Sequence, residues 1–128
     1  MRGIKFRAWD EDGFMFVPSC IMWDKDRDRI VVWNGATFAT LGSAVIALMQ
    51  YTGINDENGV EIYEGDIVTA GDNYPSIVEW NDTEAKFELF EKYPRTGKYA
   101  DKYDRYHEMT SYTNGLGKVI GNIYESKQ

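Results

Sequence analysis

Apolar and polar residues alternate in short runs along the chain, and Asp, Asn and Gly residues separate these runs. Residues 5–9 and 14–17 show the alternation on either side of the turn sequence of residues 10–13. A period of two is typical of a strand with one buried face, and an intervening Asp-Gly turn is typical of a hairpin. We therefore predict a first β-hairpin with Gly13 in the left-handed conformation.

The same pattern predicts two further hairpins. Residues 20–23 and 29–33 flank a charged loop, and residues 77–80 and 86–90 flank a short Asn-Asp-Thr sequence. All four runs carry β-branched or aromatic side chains, which favour strands. Trp80 lies in one of these runs, as Trp9 does in the first hairpin, so we expect both indoles to be largely buried.

Two turns divide the centre of the chain into three β-competent runs, which are residues 49–52, 61–63 and 67–68. In the first turn, residues 55–59, Asn and Asp side chains accept hydrogen bonds from the nearby backbone, and Gly59 tolerates a positive φ. The second turn has Gly65 between Glu64 and Asp66, and we expect a conformation there that costs other residues energy. A Gly-Asp turn before a β-branched strand is also common in SH3-like barrels, which is an analogy of fold only.

The remaining segments have weaker patterns. In residues 37–47, apolar positions fall at helical spacing, but Gly42 and β-branched residues disfavour a helix, so we expect one short helix or a loop. Residues 91–113 lose the β pattern and become charged and rich in tyrosine. Residues 114–117 predict a turn, and residues 118–124 predict a final strand.

These patterns predict a mainly β protein with small sheets or an SH3-like barrel built from hairpins, and with one or two short helices. A length of 128 residues indicates one domain, residues 1–128. Within it, we consider an N-terminal β subdomain of residues 1–47 and a C-terminal barrel-like subdomain of residues 48–128.

The formal net charge of −7 argues against broad non-specific binding to nucleic acid, because phosphates would be repelled. The acidity serves solubility or, alternatively, imitates the charge of DNA, but the mixing of acidic and basic residues along the chain weakens the second interpretation. The single cysteine, Cys20, excludes an intramolecular disulfide. Because no membrane-length apolar run and no signal peptide are recognisable, we expect a cytoplasmic protein.

Candidate catalytic and metal sites are weak. A single histidine, His107, and a single cysteine cannot supply a usual zinc set. An EF-hand loop has a glycine at its sixth position and an acidic ligand at its first. With Gly59 as the sixth residue, the first would be Ile54, which cannot bind a metal, so this template fails. A catalytic triad would need His107 as its base, and no phosphate-binding glycine motif occurs. We predict no catalytic residue, no cofactor and no metal.

Residues 93–112 are the best candidate for a partner-binding surface. Tyr99, Tyr103 and Tyr106 would share one face if this segment were helical, and Lys98, Lys102 and Arg105 repeat the same spacing. Tyrosines beside basic residues are favoured at protein interfaces and in stacking on single-stranded bases. We therefore predict binding by four residues: Tyr99, Lys102, Tyr103 and Tyr106. The alternative is that these tyrosines only pack against the rest of the fold.

Three stretches resemble the YopX family of bacteriophage and prophage proteins. They are Ile-Lys-Phe-Arg-Ala-Trp-Asp at residues 4–10, the central stretch of residues 48–68 with its Glu-Gly-Asp turn, and Val-Ile-Gly-Asn-Ile-Tyr-Glu at residues 119–125. The resemblance implies a small, largely β protein from a phage or prophage, and it brings no agreed activity. Relatives often carry lysines around the Asn-Gly turn, whereas this chain has Asn55, Asp56, Glu57 and Val60.

The function predicted from these observations is that of a phage or prophage accessory protein without enzymatic activity, which binds a host or phage protein. The alternative is a small β-barrel that binds nucleic acid. The bacterial host's cytoplasm is the expected location, no membrane partner is expected, and a homo-oligomer stays open.

Overall fold

The computed structural model describes residues 3–69, 74–109 and 117–125. These residues form twelve β-strands and no α-helix. The first six strands are β1 (Phe6–Asp10), β2 (Met15–Phe16), β3 (Ile21–Asp24), β4 (Arg29–Trp33), β5 (Phe38–Thr40) and β6 (Val45–Asn55). The other six are β7 (Glu61–Tyr63), β8 (Asp66–Thr69), β9 (Ser76–Asn81), β10 (Lys86–Glu91), β11 (Arg105–Glu108) and β12 (Lys118–Asn122).

The predicted fold class, mainly β with small sheets or an SH3-like barrel built from hairpins, is confirmed, and the sheets are small and antiparallel. Of the one or two predicted short helices, the described residues show only Met109 in a 3-10 helical conformation. None of these residues belongs to a helix with the length and hydropathy needed to cross a membrane. Contacts divide the chain into two compact units, Met1–Tyr51 and Thr52–Gln128, with the boundary inside β6. The subdomains proposed from sequence, residues 1–47 and 48–128, stay a prediction.

The N-terminal unit contains two small antiparallel arrangements. Strand β1 lies between β2 and β6, and β4 lies between β3 and β5. Alternation along these strands turns one set of side chains inward. The buried core of the unit consists of Ala8, Val32, Ala39 and Val45. The first two predicted hairpins are confirmed, and Gly13 has a φ of 89°.

The C-terminal unit is built on an open five-stranded sheet in the order β11-β10-β9-β8-β12. All of its neighbouring strands are antiparallel, and the third predicted hairpin is its β9–β10 pair. β7 lies next to the end of β6. The core of the unit consists of Ile62, Val68, Val78, Leu89 and Met109. The predicted final strand is confirmed as β12.

The turn between β7 and β8 is confirmed at Gly65, which has a φ of 86°. The buried carboxylate of Asp66 accepts a hydrogen bond from the Tyr63 N–H at 2.8 Å. The Gly65 N–H donates to the Val78 carbonyl at 2.8 Å, and the Gly65 carbonyl accepts from the Ile123 N–H at 3.0 Å. This turn therefore connects three segments of the C-terminal unit by backbone hydrogen bonds.

For residues 37–47 we expected a short helix or a loop, and the helix is not formed. Residues 38–40 form β5, and β6 begins at Val45. Between them, Gly42 has a φ of 93° and its N–H donates to the Val45 carbonyl at 2.8 Å. The helical spacing of Leu41, Ala44 and Leu48 is therefore coincidental, although all three pack against the core.

Two other sequence predictions need correction. Residues 91–113 do not lose the β pattern throughout, because β10 continues to Glu91 and residues 105–108 form β11. Trp80 is 41% exposed near the end of β9, where its ring centroid lies 4.9 Å from that of Phe87. Trp9 is half-buried. The turn predicted at residues 114–117 falls mostly outside the described residues.

Candidate functional site

An open cavity of about 580 Å³ lies in the C-terminal unit, beside the loop that joins β10 to β11. We name it the tyrosine cavity. Its lining residues are Tyr74, Tyr93, Tyr99, Asp101, Lys102, Tyr103 and Arg105. Ligand cavities in proteins have volumes of about 300–1,000 Å³, so this one is large enough to hold a side chain or a small ligand.

Three aromatic rings form one wall of the tyrosine cavity. The ring centroid of Tyr74 lies 4.8 Å from that of Tyr93 and 5.0 Å from that of Tyr99. Tyr93 and Tyr99 are 6.0 Å apart, and the ammonium group of Lys98 lies 5.4 Å from the Tyr99 centroid. Such distances are those of favourable aromatic and cation–π contacts. The wall is thus held together by the tyrosines themselves.

The loop that carries Tyr99 and Tyr103 is closed by Asp104. One oxygen of this carboxylate accepts from the Tyr93 N–H at 2.9 Å, and the other lies 2.5 Å from the Arg95 guanidinium. A turn before it places the Lys102 N–H 3.0 Å from the Tyr99 carbonyl. The loop therefore has a defined path, and Tyr103 projects from it with 87% of its surface exposed.

A buried carboxylate, Glu91, holds two of the side chains that line the tyrosine cavity, Tyr93 and Arg105. Only 3% of the residue is exposed, and its Oε2 accepts a short hydrogen bond from the Tyr93 hydroxyl. The same oxygen accepts from Arg105 Nε at 3.3 Å. Its Oε1 lies 2.6 Å from His107 Nε2, but off the line of a good hydrogen bond. Both carboxylate oxygens therefore face polar groups of the protein itself.

The ionised form of Glu91 is stabilised by these neighbours. Burial acts to raise the pKa of Glu91, but the hydrogen bond from Tyr93 and the charges of His107 and Arg105 lower it on balance. The hydrogen bond to Glu91 raises the pKa of the Tyr93 hydroxyl, and the negative charge of Glu91 raises the pKa of Arg105. The Tyr93 phenol and the Arg105 guanidinium thus stay protonated, and their hydrogen bonds to Glu91 fix their direction.

The tyrosine cavity brings together three of the four residues predicted from sequence: Tyr99, Lys102 and Tyr103. Tyr106 lies apart from them, because neighbouring residues of a strand point to opposite faces and Arg105 points to the cavity. The ring of Tyr106 stacks on Phe90 at 4.7 Å. The helix that would have aligned all three tyrosines is absent; a turn and β11 take its place.

Tyr106 shares its face of the sheet with a row of glutamates. Glu79, Glu88 and Glu108 are directly opposite one another on β9, β10 and β11. Burial, followed by the charge of Glu88, raises the pKa of Glu79. In the parts of the chain that the structure describes, no group of three or more His, Cys, Asp or Glu side chains is arranged to hold a metal.

Sequence reasoning missed Tyr74 as part of the cavity wall and Glu91 as the group that holds Tyr93 and Arg105. It included Tyr93 in the candidate segment but not among the four predicted binding residues. A signal for Glu91 and Tyr93 existed, since the alternation of β10 continues past Phe90 and puts residues 89, 91 and 93 on one side. Arg105 pairs with Glu91 across the strand pair, a contact that no spacing along the sequence indicates. Tyr74 is distant in sequence, and no local pattern connects it to the loop.

Comparison with known proteins identifies a family and three similar chains among solved structures. The family model described as "YopX protein" matches residues 5–128. No curated protein matches the chain. The crystal structure of protein EF1440 from Enterococcus faecalis is similar, with a TM-score of 0.60 and 23% sequence identity over 98% of this chain and 96% of that chain. This likeness shows a shared fold.

Proposed function

This chain belongs to the YopX family, and from that premise we propose that it is a non-enzymatic accessory protein of a phage or prophage, which binds a host or phage protein through the tyrosine cavity. The observation that carries the proposal is the composition of the cavity. Aromatic faces, two cationic side chains and the exposed Tyr103 meet at one opening. Tyrosine and arginine are the residue types that protein interfaces favour.

Binding is a better account of this site than catalysis. A general base or nucleophile needs an atom directed at a substrate. The buried carboxylate next to the cavity, Glu91, instead directs both oxygens at Tyr93, Arg105 and His107. Its role is to hold two lining side chains in place. Tyr103 contributes contact area at a low cost in rotamer entropy, as tyrosines do in many binding sites.

The local charge favours a partner with acidic groups. Residues 91–106 contain five Lys or Arg and three Asp or Glu, whereas the whole chain has a net charge of −7. Among the described residues, Lys102 forms no ion pair, and its side chain lines the cavity. A protein that presents a carboxylate beside an apolar side chain has the complementary chemistry.

Single-stranded nucleic acid is the second candidate, because the same tyrosine faces and cations suit stacked bases and phosphates. The acidic charge of the rest of the chain opposes it. The two candidates differ in salt dependence, since phosphate contacts release counterions and weaken steeply as salt rises. The proposed location of both complexes is the cytoplasm of the bacterial host.

Site-specific cross-linking tests the proposal. A photoreactive amino acid is placed at position 103 and, as a matched control, at position 23, where Trp23 is also exposed but lies in the N-terminal unit. Irradiation in lysate of infected or lysogenic cells should give a defined protein adduct from position 103 only. The adduct should decrease at least tenfold in the Lys102→Glu variant and remain in the Lys25→Glu variant.

Three results would change the conclusion. A nuclease-sensitive adduct at position 103 would replace the protein partner by nucleic acid. Equal adducts from positions 103 and 23 would show that the cavity has no special role. Turnover of a captured molecule that depends on Glu91 or His107 would overturn the non-enzymatic assignment.

A further inference from the structure

The two edges of the five-stranded sheet are treated differently by the fold. The edge at β12 is covered by the turn of residues 55–59. The Val119 N–H donates to the Asp56 carboxylate at 2.9 Å, and the Gly117 carbonyl accepts from the Glu57 N–H at 2.9 Å. Two backbone groups at the start of β12, which would otherwise attract another strand, are therefore already bonded on that side.

The opposite edge, β11, has no such cover among the described residues. Its four residues pair with β10 in an unbroken register from Glu88↔Glu108 to Glu91↔Arg105. Within residues 3–69, 74–109 and 117–125, no backbone hydrogen bond reaches the outer side of this strand. A proline or a β-bulge, two common protections of an edge, is not present in it.

The side chains of β11 are arranged so that each face offers a different contact. Arg105 and His107 point toward the side of the tyrosine cavity, while Tyr106 lies on the other face, stacked on Phe90. Arg105 is held by the buried Glu91 but keeps 61% of its side chain exposed. An extended chain beside β11 would thus meet the Arg105 guanidinium with one set of side chains and, beside Glu108, the rings of Tyr106 and Phe90 with the other.

We propose that β11 is an acceptor strand, which a partner protein extends by adding a segment in the β conformation. The segment would direct an acidic side chain toward Arg105 and Lys102 and an apolar side chain toward Tyr106. Main-chain hydrogen bonds supply affinity in such complexes, and alternate side chains supply specificity. The inference rests on the proposed function, for which it specifies the mode of binding.

The test uses a displayed library of random peptides, selected on the full chain after depletion on its Lys102→Glu variant. The selected peptides should alternate acidic and apolar residues. One of them is then synthesised with single N-methyl groups at successive positions. Because alternate amides of an added strand face β11, methylation should weaken binding at least tenfold at every second position and little between them.

Amide hydrogen exchange gives the second readout. On addition of the peptide, alternate N–H groups among residues 105–108 should exchange at least tenfold more slowly, while those of β12 should not change. A peptide that binds without this protection, or whose affinity is indifferent to N-methylation, would overturn strand addition. A selection that yields no peptide whose binding is weakened by Lys102→Glu would overturn it as well.

The cross-linking experiment separates this inference from the proposed function. If position 103 captures a partner protein but that partner leaves the exchange of residues 105–108 unchanged, the cavity binds and β11 is not the acceptor. If position 103 captures no protein, the proposed function itself fails.

Discussion

Two aspartates, Asp10 and Asp56, begin turns of the same construction in the two units. In each, one carboxylate oxygen accepts from the N–H groups two and four residues further on, at 2.8–3.0 Å. In each, the glycine three residues after the aspartate has a positive φ. The N–H of the glutamate directly after the aspartate donates to a carbonyl of another segment at 2.9 Å. Asp56 differs by its additional bond to Val119.

This difference predicts unequal effects of the same substitution. Asp56→Ala removes the acceptor of three backbone N–H groups, whereas Asp10→Ala removes that of two. Since an unsatisfied donor costs about 1–3 kcal/mol, Asp56→Ala should lower the free energy of unfolding by at least about 1 kcal/mol more than Asp10→Ala. Denaturant titrations measure both. Equal losses would mean that the bond to Val119 contributes nothing.

Asp56 also predicts the response to acid. Burial acts to raise the pKa of Asp56, but hydrogen bonds from Val119, Val60 and Asn58 lower it below its ordinary value of 3.8. A lowered pKa in the folded state stabilises the fold above that ordinary value, and the stabilisation is lost as pH falls through the folded value. Between about pH 5 and pH 3, the wild type should lose stability more steeply than Asp56→Asn. Parallel curves would contradict this assignment.

At the scale of the elements, turns determine where strands can begin. Gly65 connects β7 to β8 with a φ of 86°, in the left-handed region that favours glycine. Gly65→Val should therefore lower the free energy of unfolding by more than about 1 kcal/mol. Gly3→Val is the control, because an added Cβ there meets only the Lys5 side chain at 3.6 Å. Melting of both variants at the wild-type temperature would show that Gly65 is not strained.

The glutamate row predicts a stabilising substitution. Like charges directly opposite in a sheet are destabilising, and the raised pKa of Glu79 reflects its burial and the charge of Glu88. Glu79→Gln should raise the free energy of unfolding at pH 7 by about 0.2–1 kcal/mol. Glu84→Gln removes an acid that is 3.1 Å from Lys86, so it should give no gain. A loss of stability in Glu79→Gln would indicate an attractive role for that carboxylate.

The elements differ in how visible they are in the sequence. Hairpins such as β9–β10 were predictable because one face is buried and the alternation records it. Strand β11 was not predictable, because it lies at a sheet edge and its four residues, 105–108, show no alternation of apolar and polar side chains. The spacing of the tyrosines predicted a common face, but only a helix would have produced it. Tyr99 and Tyr103 converge for another reason, the loop closed by Asp104.

At the scale of the whole molecule, folding and binding should be separable. The double variant Lys102→Ala/Tyr103→Ala changes exposed side chains, so its melting temperature should stay within a few degrees of the wild type. Capture of the partner should weaken at least tenfold, about 1.4 kcal/mol. Tyr63→Ala, at a tyrosine only 8% exposed, is the contrasting control and should lower the melting temperature. Unchanged capture by the double variant would place the binding site elsewhere.

The asymmetry between the covered β12 edge and the open β11 edge bears on whether copies of the chain polymerise. A β11-to-β12 contact between copies would be heterologous, and repeated without ring closure it would grow into a filament. The Asp56 turn, which is bonded to the start of β12, blocks the second strand edge that such a filament would need. Protonation of Asp56 weakens the hydrogen bond to Val119 and exposes this edge. We therefore expect fibrous precipitates of this protein after storage in acid and in variants of this turn.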